Sequence, residues 1–240
     1  MKVTTLGIDL AKNVFQLHGV NEHGKPVLKK QLRREQMAEF LVNLPPCLIG
    51  MEACGSAHHW ARKLQGFGHT VKLMAPQFVK PYVKTNKNDA ADAEAICEAV
   101  RRPTMRFVQI KSTEQQGRLM LHRTRDLLMR QRTQVINAMR AHLAELGIVA
   151  AQGREGIKEL LKIIASEEDA RLPVDAHMSL VVLAGELQAM QTLIGSIEKR
   201  IMVQHRSSEA SQRLESIPGI GLIGATAIAA TVPDPKIFRS

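Results

Sequence analysis

The sequence is poor in aromatic rings. Phe, Tyr and Trp make up 3% of 240 residues, with one Trp and one Tyr. Base stacking on exposed rings is therefore poorly supplied, and a core must come from Leu, Ile, Val, Ala and the 11 Met. Cysteine is scarce too: Cys47, Cys54 and Cys97 are odd in number and no pair has the CxxC spacing. That argues against a disulfide framework or a cysteine zinc site and suits a reduced, cytoplasmic setting. The N-terminus, MKVTTLGIDLAK, has no apolar signal-peptide core. The most apolar stretch, Ile217 to Val232, contains Pro218 and several Gly. It is also shorter than the ~20 residues that span a bilayer, so packed helix is expected there and no membrane partner. Acidic residues are in deficit as well. Lys and Arg number 33 against 23 Asp and Glu, a net charge of +10, which points to a polyanion such as nucleic acid.

What is present falls into three compositions. The first hundred or so residues alternate strand and helix signals. Strands are predicted at Val3–Leu10, Asn13–Val20 and Val27–Leu32, with a Gly-containing turn at Asn21–Gly24. Helix 36–44, strand 47–51, helix 56–65, strand 70–74, helix 89–100 and a last strand at 106–110 follow, with Pro45-Pro46 and Pro76 as breaks. This order predicts an α/β fold with a mixed sheet and flanking helices over 1–110. From Ser112 onward strand signals vanish. Long helices are predicted at 114–146 and 177–205, with a shorter one at 156–165, giving an all-α region over 111–212. In the last long helix Leu180, Leu187, Ile194 and Ile201 are seven apart, and Leu183, Met190 and Ile197 each follow three later. That is a coiled-coil seam, open to closure within one chain or between chains as a homodimer or homotetramer. A third, Gly/Ala-rich composition begins at Ile217.

The candidate chemistry lies in carboxylates at the ends of apolar elements. Asp9 ends the first strand in GIDLAK, and Glu52 ends the fourth in IGMEACGS. Asp89 and Asp92 sit three apart in YVKTNKNDAADAEAI and so share a helix face. Singly, each also suits a helix cap or turn. Gathered together, four hard oxygen donors would repel one another unless a cation sat among them, and Mg²⁺ or Mn²⁺ suits such ligands. Two such ions ~3.5–4 Å apart are the usual device for in-line attack on a phosphodiester.

These motifs, GIDLAK, MEACGSAHHWA and KTNKNDAADAEAI, resemble those of the DEDD-type transposases of the insertion-sequence-110 family, including its 1111 subgroup. The resemblance implies an RNase H/RuvC-like N-terminal domain, and Asp9, Glu52, Asp89 and Asp92 as a metal-binding and catalytic tetrad. It further implies a bacterial recombinase that moves DNA with an element-encoded guide RNA. IPGIGLIGATAIAATVPDPKIF resembles the opening of that family's C-terminal domain, whose nucleophilic serine has no counterpart here, since Ser240 does not sit in the matching motif. A partial protein is therefore expected, with 213–240 the start of that domain. A structure-specific nuclease of the same fold and a non-catalytic nucleic-acid-binding fragment are the alternatives.

Nucleic acid is expected to lie along the first long helix. Lys111, Arg118, Arg123, Arg125, Arg130, Arg132 and Arg140 face only Glu114 and Asp126 between 111 and 142. One-sided charge fits phosphate contact better than a helix merely kept soluble, which interleaves both signs. Lys84 and Lys87, with Lys80, could hold a phosphate before the two aspartates, or could be ordinary loop lysines. Gly219 and Gly221 in PGIG resemble the hairpin of a helix–hairpin–helix, whose backbone N–H groups can face a phosphate. The adjacent His58 and His59 point about 100° apart on a helix and read as packing residues.

Overall fold

The computed structural model describes residues 2–83, 89–166 and 169–232. They form two compact units, 1–112 and 113–240.

The first unit is built on a six-stranded mixed sheet: β1 (Thr5–Leu10), β2 (Val14–Val20), β3 (Pro26–Arg33), β4 (Leu48–Glu52), β5 (Thr70–Met74) and β6 (Phe107–Val108), in the order β3-β2-β1-β4-β5-β6. Strands β1 to β3 pair antiparallel, β2 and β3 through a tight turn at Asn21–Gly24, where Gly24 has φ +76°. Strands β1, β4 and β5 run parallel, and β6 returns antiparallel to β5. This is the mixed sheet of an RNase H-like fold. Helices α1 (Gln36–Val42) and α2 (Ala57–Gly66) cover one face. There Leu6, Ile8, Phe15, Leu17, Ile49 and Met51 meet Met37, Leu41, Trp60 and Leu64. On the other side, Ala95, Ile96, Ala99 and Val100 of the segment around α4 (Asp89–Ala99) cluster with Met74 and Val79. Pro76, expected only to end a strand, also occupies the first turn of a short helix, α3 (Pro76–Val79), where its missing N–H costs nothing.

Helix α4 lies directly on the strands. A Cβ added to Gly7 would come 2.2 Å from the Ala93 carbonyl oxygen and 2.5 Å from the Cys97 nitrogen, and one added to Gly50 would come 2.8 Å from Val100 Cβ. Gly7 and Gly50 are register partners on β1 and β4. The absent side chains let helix and sheet backbones touch.

The second unit is helical: α5 (Thr113–Glu145), α6 (Arg154–Ala165), α7 (Val174–Arg206), α8 (Glu209–Glu215) and α9 (Leu222–Thr231). Helix α5 ends where Gly147 takes φ +74° and the Ile148 N–H returns to the Leu143 carbonyl at 2.9 Å. Met139 and Leu143 of α5, Leu160 and Ile164 of α6, and Leu180 and Leu187 of α7 form its core. Leu180, Leu187, Ile194 and Ile201 are all buried within the unit, so this line of the heptad seam is filled by the chain itself. By length and composition α7 is apolar enough to cross a bilayer, a property the sequence reading placed at no segment. Its heptad pattern reflects packing on α5, with Arg125 of α5 paired to Glu198 of α7 at 2.7 Å. Helix α8, not foreseen from sequence, is stapled to the end of α7. The buried His205 has Nδ1 2.8 Å from Ser211 Oγ and Nε2 2.9 Å from Glu215 Oε2.

Two glycine substitutions separate close packing from helix propensity. Gly7→Ala should destabilise the first unit by about 1–3 kcal/mol through overpacking, read by urea unfolding of the single Trp60. Gly117→Ala, at an exposed α5 position with open space around it, should stabilise the second unit by about 0.5–1 kcal/mol, read by circular dichroism. Equal midpoints for Gly7→Ala and the parent chain would refute the tight seat of α4.

Candidate metal centre and nucleic-acid interface

Side chains alternate along a strand, so a residue two positions on projects from the same face. Gly7 and Gly50 face α4, and Asp9 and Glu52 therefore project from that same face. Ile8 pairs with Met51, which puts Asp9 and Glu52 at the next rung of adjacent parallel strands. The helix runs opposite to β1: Cys97 Sγ lies 3.8 Å from the Thr5 carbonyl oxygen, and Ala93 lies over Gly7. Four helical residues rise ~6 Å and two strand residues ~6.6 Å. One further step along both elements brings the first turn of α4, with Asp89 and Asp92, over the Asp9 end of the sheet. The Asp92 side chain is half-buried. The side chain of Asp89, like the whole of Lys84 and Lys87, lies outside the described residues.

Cys54 reports the convergence of the two strand-end acids. Burial raises its thiol pKa most, and the charges of Glu52 and then Asp9 raise it further, so both carboxylates act on one point. Among the described residues no group of three or more His, Cys, Asp or Glu side chains is gathered closely enough to hold a metal. What the described residues supply is two strand-end carboxylates, with a third acid on the helix turn toward them. These are hard oxygen donors without an imidazole. That set fits Mg²⁺ or Mn²⁺ and not zinc.

The basic residues divide into two groups. Arg125 pairs with Glu198, and Arg130 with Asp126 at 3.3 Å. The Arg140 guanidinium donates to the carbonyls of Ala150 and Ala151 at 3.0 and 2.8 Å, closing the loop after α5. Arg132 is half-buried, and its Nε has no hydrogen-bond partner. Arg118 is half-buried and Arg123 exposed on α5. Lys111 belongs to the first unit, where its N–H donates to His58 Nδ1 at 3.2 Å and its carbonyl accepts from Arg62. His58 is thus a packing residue. His59 stands edge-on to Trp60 at 5.7 Å. Gly219 (φ +89°) and Gly221 are exposed in the turn between α8 and α9, where glycine is the residue that takes the left-handed conformation.

Sequence reasoning missed one feature beside the acids. Arg34, Lys63 and His59 surround the Phe15–Trp60 pair at the same end of the sheet. The available signal was the Arg33-Arg34 step after a strand together with the lone Trp60.

Residues 6–148 match a family model described as a transposase, that of the DEDD transposases of IS110. The whole chain is 48% identical to a putative transposase of Sinorhizobium fredii, covering 61% of that protein. It is also 48% identical to a probable family 20 transposase of Pseudomonas aeruginosa, covering 71% of it. Over 99% of its length it is 40% identical to the transposase for insertion sequence element IS1111A of Coxiella burnetii, covering 65% of that relative. The chain therefore spans between 61% and 71% of the length of these curated relatives.

The reactivity of Cys54 tests the geometry of the acid pair. Asp9→Asn and Glu52→Gln each remove a negative charge that opposes thiolate formation. Each should therefore move the pH profile of Cys54 alkylation to lower pH. Cys47 and Cys97, whose pKa values burial pushes up to about 11, should stay slow throughout. Unshifted Cys54 profiles in both variants would mean that the carboxylates do not face this thiol.

Proposed function

The chain belongs to the DEDD transposases of the IS110 family, and from that premise we propose that Asp9, Glu52, Asp89 and Asp92 hold two divalent ions, Mg²⁺ or Mn²⁺, at the end of the sheet for cleavage of DNA strands. The observation that carries the reading is the seat of α4 on Gly7 and Gly50, which aims its aspartate-bearing turn at the strand ends of Asp9 and Glu52. Ions bound there would activate the attacking oxygen and neutralise charge on the leaving oxygen of an in-line displacement. The protein's own part is to fix the carboxylates on rigid elements: two on adjacent strands and two on one helix face. Relaxation of the ligands is thereby limited, and their mutual repulsion favours a cation.

We propose further, on the resemblance of the motifs, that the nucleic acid acted on is the DNA of an insertion sequence, with an element-encoded RNA as guide. Arg118 and Arg123 of α5 are candidate phosphate contacts because neither has a side-chain ion pair within the described residues, and the turn at Gly219 and Gly221 is one because its backbone is exposed. Arg125 and Arg140 are better suited to holding the second unit together. Strand exchange and self-association belong to the whole protein of this family.

Metal binding by the chain is the direct test. Mn²⁺ in excess should raise the thermal midpoint of the first unit by mass action. Asp9→Asn combined with Asp92→Asn should abolish that rise while leaving the metal-free midpoint within about 2 °C of the parent, since neither is a core residue. An undiminished Mn²⁺ response in the double variant would sink the tetrad.

A further inference from the structure

Three cations gather at the turn that follows Asp9. Arg34 is pinned there: its backbone N–H donates to the Asn13 carbonyl at 2.9 Å, and its Nη1 reaches the Lys12 carbonyl at 3.4 Å. Its guanidinium carbon stands 5.7 Å from the ring centroids of both Phe15 and Trp60. Lys63 Nζ stands 5.3 Å from the Trp60 ring, and the two rings pack edge to face at 5.4 Å. Lys12, Arg34, His59 and Lys63 are all exposed. Among the described residues no carboxylate pairs with Lys12, Arg34 or Lys63. The indole Nε1–H of Trp60, buried beneath them, has no acceptor. His59 registers the same crowding: partial burial lowers its pKa first, and the charges of Lys63, Arg62 and Arg34 lower it further.

Capping of aromatic rings is the plain use for such cations. One cation per ring face would suffice for that, and a face built only for solubility interleaves both signs. Here Arg34 and Lys63 share one indole, with a third cation on the adjoining turn and no counter-charge. Such a group repels itself unless an anion joins it. The rings also hold the guanidinium in place, which lowers the entropy lost when a phosphate is gripped.

We infer that Lys12, Arg34 and Lys63 form a phosphate-binding rim that takes the backbone of the DNA strand entering the Asp9–Glu52 end of the sheet. The assignment of DNA as the bound polyanion rests on the proposed function. Arg34 and Lys63 lie on the α2 face and the acids on the α4 face, at one end of the same strands, with Lys12 on the turn between β1 and β2. A strand crossing that end would be gripped by the rim on one side of the reacting phosphodiester. Because its contacts are to phosphate, the rim would give affinity without sequence preference.

The test measures binding of the 240-residue chain to a fluorescent 30-base-pair DNA in EDTA, between 50 and 200 mM salt. Each lost phosphate contact lowers the slope of log affinity against log salt by about 0.9. Arg34→Gln with Lys63→Gln should lower the slope by about two and weaken binding on the order of tenfold at 0.1 M salt. Lys12→Gln, which touches no ring, should lower the slope by about one with an unchanged thermal midpoint, so that loss of binding is not loss of fold. Parental slopes in Lys12→Gln and in the double variant would overturn the rim. So would a loss confined to an RNA duplex of the same length, or failure of the parent chain to bind DNA. Chelated conditions keep this test apart from the metal test: rim-dependent binding by a chain that ignores Mn²⁺ would sink the tetrad and leave the rim standing.

Discussion

The contact on which the candidate centre depends is the seat of α4 upon Gly7 and Gly50. Helix backbone meets strand backbone there with no side chain between them, and the 2.2 Å left for a Cβ at Gly7 shows that even alanine does not fit. The depth of that seat sets how far the first turn of α4 stands from the strand ends. The direction of the helix, opposite to β1, sets which of its ends carries the acids to Asp9. The small, buried Ala93 serves the same contact, and the buried Ala95 packs in the cluster with Met74 and Val79. A bulkier residue at Gly7 would force helix and strand apart and move the first turn of α4 from the strand ends.

Charge is segregated at this end of the sheet. Asp9 and Glu52 project from the face under α4, while Arg34 and Lys63 stand by Trp60 of α2 on the other. The strand period of two enforces the division, because Asp9 and its neighbours Ile8 and Leu10 must point opposite ways. Like charges gathered on each side repel one another. A divalent cation on one side and a phosphodiester on the other would relieve both. That division is what the proposed metal centre and the inferred phosphate rim would each require.

In the second unit the same basic residue type serves different ends. Arg140 replaces solvent at two carbonyls after α5, and Arg125 bridges to α7, so neither charge is free to act on a distant ligand. Spacing along a helix cannot separate these from Arg123, which is exposed. The heptad line of α7 is similar. Leu180, Leu187, Ile194 and Ile201 mark an apolar seam, and α5 and α6 of the same chain supply apolar residues to the cluster that buries Leu180 and Leu187. The sequence pattern showed that a partner existed and left its identity open.

How much was legible follows from which forces are local. The strands, the hairpin at Asn21–Gly24 and the three longer helices of the second unit lie within a few residues of their expected bounds. Side-chain period, proline breaks and glycine turns act over neighbouring residues and are written in the chain itself. Helix α8 escaped because it is short, and its hold comes from His205, Ser211 and Glu215 across the end of α7. The acidic residues and their element ends were also readable in the sequence, as was the resemblance of their motifs to a transposase family. Tertiary structure alone decided that β1 and β4 are neighbours in register, that α4 descends onto Gly7 with its aspartates leading, and that Arg34 folds back over Trp60. Each of those depends on contacts between residues tens of positions apart, and there shape and register, which no local pattern encodes, settle which groups meet.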